Sequence, residues 1–139
     1  MNQLIDVPIP TKLKLSALWA STMFCYLYCD YFELYTPEKL VSMQQGDMGP
    51  MGLVTQGLLF GLAVMMAIPS LMVFLSAALP ARYNKPLNIV VGLLFTLLLA
   101  FLTYSAEWHF YKMFAGIETV LTAMVVGYAC RWPKSTSAI

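Results

Sequence analysis

This 139-residue chain has little charge and few of the side chains that catalyse reactions or bind metals. Charged residues make up 11% of it, and His109 is its one histidine, so a bis-histidine haem site within one chain is excluded. No Ser/His/Asp arrangement, phosphate-binding loop or dinucleotide fingerprint is present, and no basic cluster is large enough to bind nucleic acid. The sequence therefore carries no catalytic signature, and we expect no cofactor and no nucleic-acid partner.

Cysteine is also scarce, with three in the chain. Cys25 and Cys29 are one helical turn apart, a spacing that is geometrically poor for a disulfide, so we expect thiols that pack as small apolar groups. A metal site from Glu107, His109 and Glu118 is conceivable on residue types alone. We predict no metal, because nothing else in the sequence supports such a site.

Hydrophobic residues, by contrast, make up 60% of the chain and give it a mean hydropathy of +0.71, outside the usual range of a soluble domain. A bilayer core about 30 Å thick needs about 20 helical residues. Four apolar stretches have about this length: 13–34, 53–79, 87–104 and 110–130. The sequence thus predicts one all-α membrane domain over 1–139, a bundle of four transmembrane helices in a lipid bilayer.

The first stretch is expected to remain as a span rather than to be a cleavable signal peptide. It lacks a small-residue cleavage site and runs into Asp30 and Glu33.

Basic residues predict the orientation of this bundle. Six of the eight lie on one side of the four-span arrangement: Lys12, Lys14, Arg82, Lys85, Arg131 and Lys134. Lys39 and Lys112 lie on the other side. The positive-inside rule then places both termini in the cytoplasm.

The first outer connection contains signals for a short helix. Thr36 is the expected N-cap and Pro37 the first helical residue, with the helix running to about Gln45 and ending at Gly46. An ordinary ordered loop is the alternative interpretation. Further along, Pro80 is expected to end the second span, and Pro86 to begin the third.

Two polar lines run along the first and fourth spans at helical spacing. The first consists of Ser16, Trp19, Met23, Tyr26, Asp30 and Glu33, and the second of Tyr111, Ala115, Glu118, Thr122, Val125 and Ala129. We predict that the two spans pack through these acid-bearing faces. Glu118 would then be buried, at a cost of about 2–3 kcal/mol for a charged group at that depth. This cost favours a functional or structurally coupled polar site, and hydrogen bonds that only hold the helices together are the alternative.

The predicted site is an outward-facing acidic and aromatic pocket within the membrane. Its candidate ligand-binding residues are Trp19, Tyr26, Asp30, Glu33, Gln56, Trp108, Tyr111 and Glu118. For Trp108 and Tyr111 taken singly, an aromatic belt at the level of the lipid headgroups is the plainer interpretation.

Several short segments resemble an uncharacterised bacterial family of four-span membrane proteins. They are Leu15-Ser16-Ala17-Leu18-Trp19, Tyr26-Leu27-Tyr28-Cys29-Asp30, Ile68-Pro69-Ser70-Leu71-Met72 with Leu75-Ser76, Asn88-Ile89, and the stretch from Phe110 to Glu118. That family is a domain of unknown function with a layout similar to DoxX-like proteins. The resemblance implies a four-helix bundle in the bacterial inner membrane and supplies no activity.

Three functions remain open at this point. The first is a binding or transport module for a lipophilic or cationic small molecule or a proton, in which a carboxylate with aromatic faces recognises the cation. The second is an accessory subunit of a larger membrane complex, with Gly57 and Gly61 as a close-packing surface that equally suits a homodimer or the bundle's own interior. The third is a membrane enzyme acting on a lipidic substrate, with Glu118 as general acid or base and Asp30 assisting.

Overall fold

The computed structural model describes residues 6–133, and these residues are mostly helical. The α-helices are α1 (Thr11–Glu33), α2 (Lys39–Gln44), α3 (Gln56–Ala78), α4 (Ala81–Ser105) and α5 (His109–Cys130). A 3₁₀ turn at Gly49–Met51 precedes α3. The prediction of an all-α chain is confirmed. Lys134, one of the six basic residues used to predict orientation, lies outside the described residues.

The predicted short helix is present as α2, but it begins later than the sequence suggests. Thr36 does not cap it, because the Thr36 hydroxyl donates a 2.7 Å hydrogen bond to the carbonyl of Glu33 at the end of α1. Threonine often bonds a carbonyl three or four residues earlier in this way. Glu38 instead precedes α2, in a left-handed conformation with φ of 64°. The predicted stop is confirmed, since Gly46 follows the helix end with φ of 71°.

The connection between α3 and α4 is shorter than predicted. It consists of Leu79 and Pro80, and α4 begins at Ala81. Pro86 was expected to start this helix and lies inside it instead. A proline is tolerated there because the carbonyl that loses its partner belongs to Arg82, which is exposed and can be solvated.

Pro69 interrupts the hydrogen-bond ladder in the middle of α3. The group it leaves without a helical donor is the carbonyl of Met65, four residues earlier. The hydroxyl of the next residue, Ser70, donates to the neighbouring carbonyl of Met66, at 2.9 Å.

The four long helices form an antiparallel bundle. Within it, α1 packs against α3 and α5, and α5 packs against α1 and α4, whereas α3 and α4 contact each other little. The core consists of Leu15, Trp19, Met72, Phe95, Leu99, Val125 and Ala129. We call the end that contains the α3–α4 connection the Arg82 end, and the opposite end the α2 end.

Three of these helices, α3, α4 and α5, are long and apolar enough to cross a membrane, counted over residues 6–133. The sequence predicted four spans. With 23 residues, α1 measures about 34 Å and is long enough, but its tyrosines and acids make it less apolar than the other three. Its surface still carries exposed apolar side chains, such as Phe24 and Leu27.

Candidate functional site

The prediction for the α5 face is confirmed, and it places Glu118 in the interior. Five members of the predicted line are buried: Ala115, Glu118, Thr122, Val125 and Ala129. This face of α5 meets α1, as the stacking of Phe32 on Phe114 shows, with ring centroids 6.3 Å apart. Glu118 is therefore held in the bundle because it belongs to the packing stripe of its helix.

The predicted line on α1 coincides with the buried stripe at Trp19 but lies about one residue away from it elsewhere. The buried residues of α1 are Leu15, Trp19, Thr22 and Cys29. Cys29 thus occupies the interior position that the sequence assigned to Asp30, and Asp30 is exposed. The apolar thiol is cheaper to bury than a carboxylate. The orientation of α1 that buries Cys29 and exposes Asp30 is therefore favoured.

Glu118 is 2% exposed, and its Oε1 has no hydrogen-bond partner among residues 6–133. Buried polar atoms are normally hydrogen-bonded, and each exception calls for a specific explanation. The backbone carbonyl of Glu118 accepts a 2.9 Å hydrogen bond from the Thr122 hydroxyl within α5. The carboxyl group itself is free to interact with something else.

A cluster of ionisable side chains surrounds this carboxyl group. Those close enough to interact with it electrostatically are Cys25, Tyr26, Cys29, Asp30 and Tyr111. We call these five residues and Glu118 the Glu118 cluster. It has carboxyl, phenol and thiol groups and no basic group. The single ion pair of the described chain joins Lys39 to Glu33 beside the cluster, and Lys39 also interacts electrostatically with Asp30.

The three predicted acids therefore have different environments. Glu33 is bonded by Lys39, whose Nζ lies 2.6 Å from its Oε1. Asp30 is exposed on α1 next to the cluster interior and forms no ion pair within residues 6–133. Glu118 is buried. A cation that approaches the cluster from the surface would meet the exposed Asp30 first and the buried Glu118 behind it.

Trp19, another predicted site residue, does not belong to this cluster. Its indole Nε1 donates a 2.8 Å hydrogen bond to Asn88 Oδ1, and its ring meets Phe95 edge-on. Eleven residues separate Trp19 from Asp30, which is about 16 Å along the helix. Its polar group is fully used in the core, so it is unavailable to a ligand at Glu118.

Gln56 and Trp108 also lie apart from Glu118. Gln56 is the exposed first residue of α3. Trp108 lines an apolar groove of about 400 Å³ at the α2 end, together with Phe32, Tyr35, Thr36, Pro37, Phe110, Met113 and Phe114. Phe32 comes two residues after Asp30, about 200° around α1, so the groove opens on the other flank of the α1–α5 pair.

The conceivable metal site does not form. Glu107 and His109 are exposed, whereas Glu118 is buried nine residues further along α5, about 14 Å from His109 along the axis. Across residues 6–133, no three His, Cys, Asp or Glu side chains are arranged to hold a metal ion.

A buried polar network at the Arg82 end was not predicted. Asn88 Oδ1 accepts from Trp19 and, at 3.1 Å, from the Ser76 hydroxyl, while its Nδ2 donates to Asn84 Oδ1 at 2.6 Å. Asn84 Nδ2 donates in turn to the carbonyl of Ser76 at 2.6 Å. These four side chains are fully buried. The i,i+4 spacing of the two asparagines was the available signal, but it was lost because Asn84 was assigned to a connection.

Comparison with known proteins gives a family without a function. A family model described as "Family of unknown function (DUF6326)" matches residues 9–139. No curated protein and no solved structure matches the chain.

Proposed function

This chain belongs to DUF6326, a family of unknown function, and we propose that it is an integral membrane protein that binds a cationic small molecule in the Glu118 cluster. One observation carries the proposal: Glu118 is 2% exposed, and its Oε1 has no hydrogen-bond partner among the described residues. Ionisable groups inside membrane proteins are costly and usually mark a ligand or ion path.

The chemistry of the cluster supports a cation rather than an anion. Asp30 supplies a carboxylate, Glu118 supplies a second one when it is ionised, and no described basic side chain forms an ion pair with either. Tyr26 and Tyr111 are half-buried beside them and offer aromatic faces, which attract organic cations. An anionic ligand would be repelled by the ionised carboxylates. A proton is the smallest cation that the same groups could take.

We further propose that α1 is the fourth span. It packs along α3 and α5, both of which are long and apolar enough to cross a membrane, and this packing supports a shared depth in the bilayer. The excess of basic residues at the Arg82 end supports a cytoplasmic location of this end, with Asp30 towards the outer side. A DoxX-like protein of the bacterial inner membrane is the corresponding proposal for layout and location.

Thermal unfolding of the purified protein with organic cations tests the proposed function, with dodecyltrimethylammonium as the first probe. The parent protein should be stabilised by it. The substitution Glu118→Gln should leave the fold intact and weaken binding by about 2–5 kcal/mol, the usual cost of breaking a buried charge contact.

Glu107→Gln is the matched control, because Glu107 is exposed and lies outside the Glu118 cluster. This variant should bind like the parent. The proposal fails if no cation raises the unfolding temperature of the parent protein. It also fails if the cation stabilises Glu118→Gln as much as the parent.

An accessory subunit is the second candidate, and one observation favours it. A Cβ atom added at Gly57 or at Gly61 would meet nothing within 4 Å, so the bundle does not use this surface for its own packing. The interpretation that the two glycines serve the bundle's interior is therefore wrong. Stable co-purification with a large membrane assembly from mild detergent would favour this candidate over the first.

A further inference from the structure

The contacts between α3 and α4 are concentrated at the Arg82 end. Within residues 6–133, the hydrogen bonds that join side chains of one of these helices to the other involve Ser76, Asn84 and Asn88, and Asn84 also bonds the carbonyl of Leu79. Asn88 lies eight residues after Pro80, about 12 Å along α4. Each helix is about 35 Å long, so most of their length towards the α2 end is not joined.

One position on the side of α3 towards α4 has no neighbouring atoms in this region. Gly61 comes fifteen residues before Ser76, so it lies about 60° from it around the helix. A Cβ atom added at Gly61 would meet nothing within 4 Å. Ser70, which approaches Met23 of α1 at 3.7 Å, lies on the opposite side of α3 from Gly61. The sparse contacts between α3 and α4 thus leave the surface of α3 at Gly61 uncovered, and we call this surface the opening between α3 and α4.

Asp30 borders this opening from the side of α1. Cys29 marks the buried side of α1, and Ser16, whose hydroxyl bonds the carbonyl of Val73, marks the side that meets α3. On a regular helix Asp30 lies about 100° from Cys29 and about 40° from Ser16. Its exposed carboxyl group therefore lies near the inner edge of the opening, in front of Glu118.

We infer that the ligand of the Glu118 cluster is a single-chain amphiphilic cation, which enters from the outer leaflet through the opening between α3 and α4. This inference rests on the proposed function. The cationic headgroup lies against Asp30, with Glu118 behind it, and the apolar chain lies between α3 and α4 beside Gly61. Charge complementarity selects the headgroup, because two carboxyl groups face it and neither forms a described ion pair. The apolar walls select the chain.

Binding to the full chain in phosphatidylcholine nanodiscs tests this inference. The probe is dodecyltrimethylammonium, tetramethylammonium has the same headgroup without the chain, and empty nanodiscs correct for partition into lipid. Gly61→Phe should weaken binding of the long-chain probe about tenfold, the loss expected when about two methylene groups are displaced from apolar contact. Tetramethylammonium should bind far more weakly than the long-chain probe to every variant.

Gly127→Phe is the matched control. Gly127 also has nothing within 4 Å of an added Cβ, and it lies about 180° around α5 from Glu118. This variant should bind the long-chain probe within twofold of the parent. If Gly61→Phe does not fold, Gly57→Leu and Gly61→Leu together add bulk to the same side of α3.

The outcomes separate this inference from the proposed function. Binding that is lost in Glu118→Gln but unchanged by bulk at Gly61 would overturn the lateral entrance and leave the cation site standing. Equal affinity for the short and long cations would overturn the amphiphilic class. Absence of cation binding in the parent would overturn both.

Discussion

Trp19 of α1 and Asn88 of α4 are joined by a hydrogen bond through the core of the bundle, in which the indole Nε1 donates to Oδ1 at 2.8 Å. Helices α1 and α4 contact each other little, so this hydrogen bond links two parts of the bundle that are otherwise held together through α5. Asn88 is also bonded to Ser76 and Asn84. The Arg82 end is thus held by a polar network in which each amide is satisfied, and such networks favour one arrangement of the core.

Asn88→Leu should destabilise the protein by about 1–3 kcal/mol, because it leaves buried donors on Trp19 and Ser76 without an acceptor. Thermal or denaturant unfolding in detergent measures the change. Ser105→Ala is the control, since Ser105 is exposed and bonds within its own helix; it should have little effect. Equal stabilities for the two variants would contradict the importance of the network.

Close packing of α4 on α5 depends on Gly92. A Cβ atom added there would lie 2.8 Å from Val126 Cγ2 and 3.4 Å from Val125 Cγ1, so the Val126 side chain or the helix that carries it would have to shift. We expect Gly92→Ala to lower stability by about 1–3 kcal/mol. Gly61→Ala, at an open position, should be neutral or stabilising by up to about 1 kcal/mol. Unfolding in detergent checks the prediction: Gly92→Ala should be less stable than Gly61→Ala. The reverse order of stability would refute it.

Glu118 should reduce stability in the absence of ligand. Its buried Oε1 has no partner among the described residues, and an unsatisfied buried polar group costs about 1–3 kcal/mol. Glu118→Leu should therefore raise the unfolding temperature of the unliganded protein. Thr122→Val should lower it, because it removes the 3.0 Å bond to Thr96. A lower unfolding temperature for Glu118→Leu would show that the carboxyl group is satisfied by some other group.

Topology can be tested with reporter fusions. A fusion after Lys39 should report the periplasmic side and a fusion after Ile139 the cytoplasmic side, because the basic residues are concentrated at the Arg82 end. Reporters that are active in opposite compartments, such as alkaline phosphatase and a fluorescent protein, make the two results complementary. Matching locations would rule out an arrangement in which all four long helices cross the membrane.

The α5 face was predictable because its small and polar residues repeat at helical spacing and each one is buried where the spacing places it. The α1 face was not, since Asp30 and Cys29 are adjacent and the sequence does not say which of them the helix turns inward. Packing against α5 decides this in favour of the thiol. Trp19 was assigned to the ligand site for its aromatic ring, although its N–H is used by Asn88. The start of α4 was misplaced because Pro86 was taken as a boundary, and Asn84 was therefore not recognised as a core residue.

The order of the helices along the chain has a consequence for biosynthesis. Of the four long helices, α1 is made before the others, yet it is the least apolar of them, and both helices that it packs against are made later. We expect its position to be secured once α5 has been made, because α5 supplies one of its two packing surfaces. A chain truncated before α5 should therefore retain α1 in the membrane less well than the full chain.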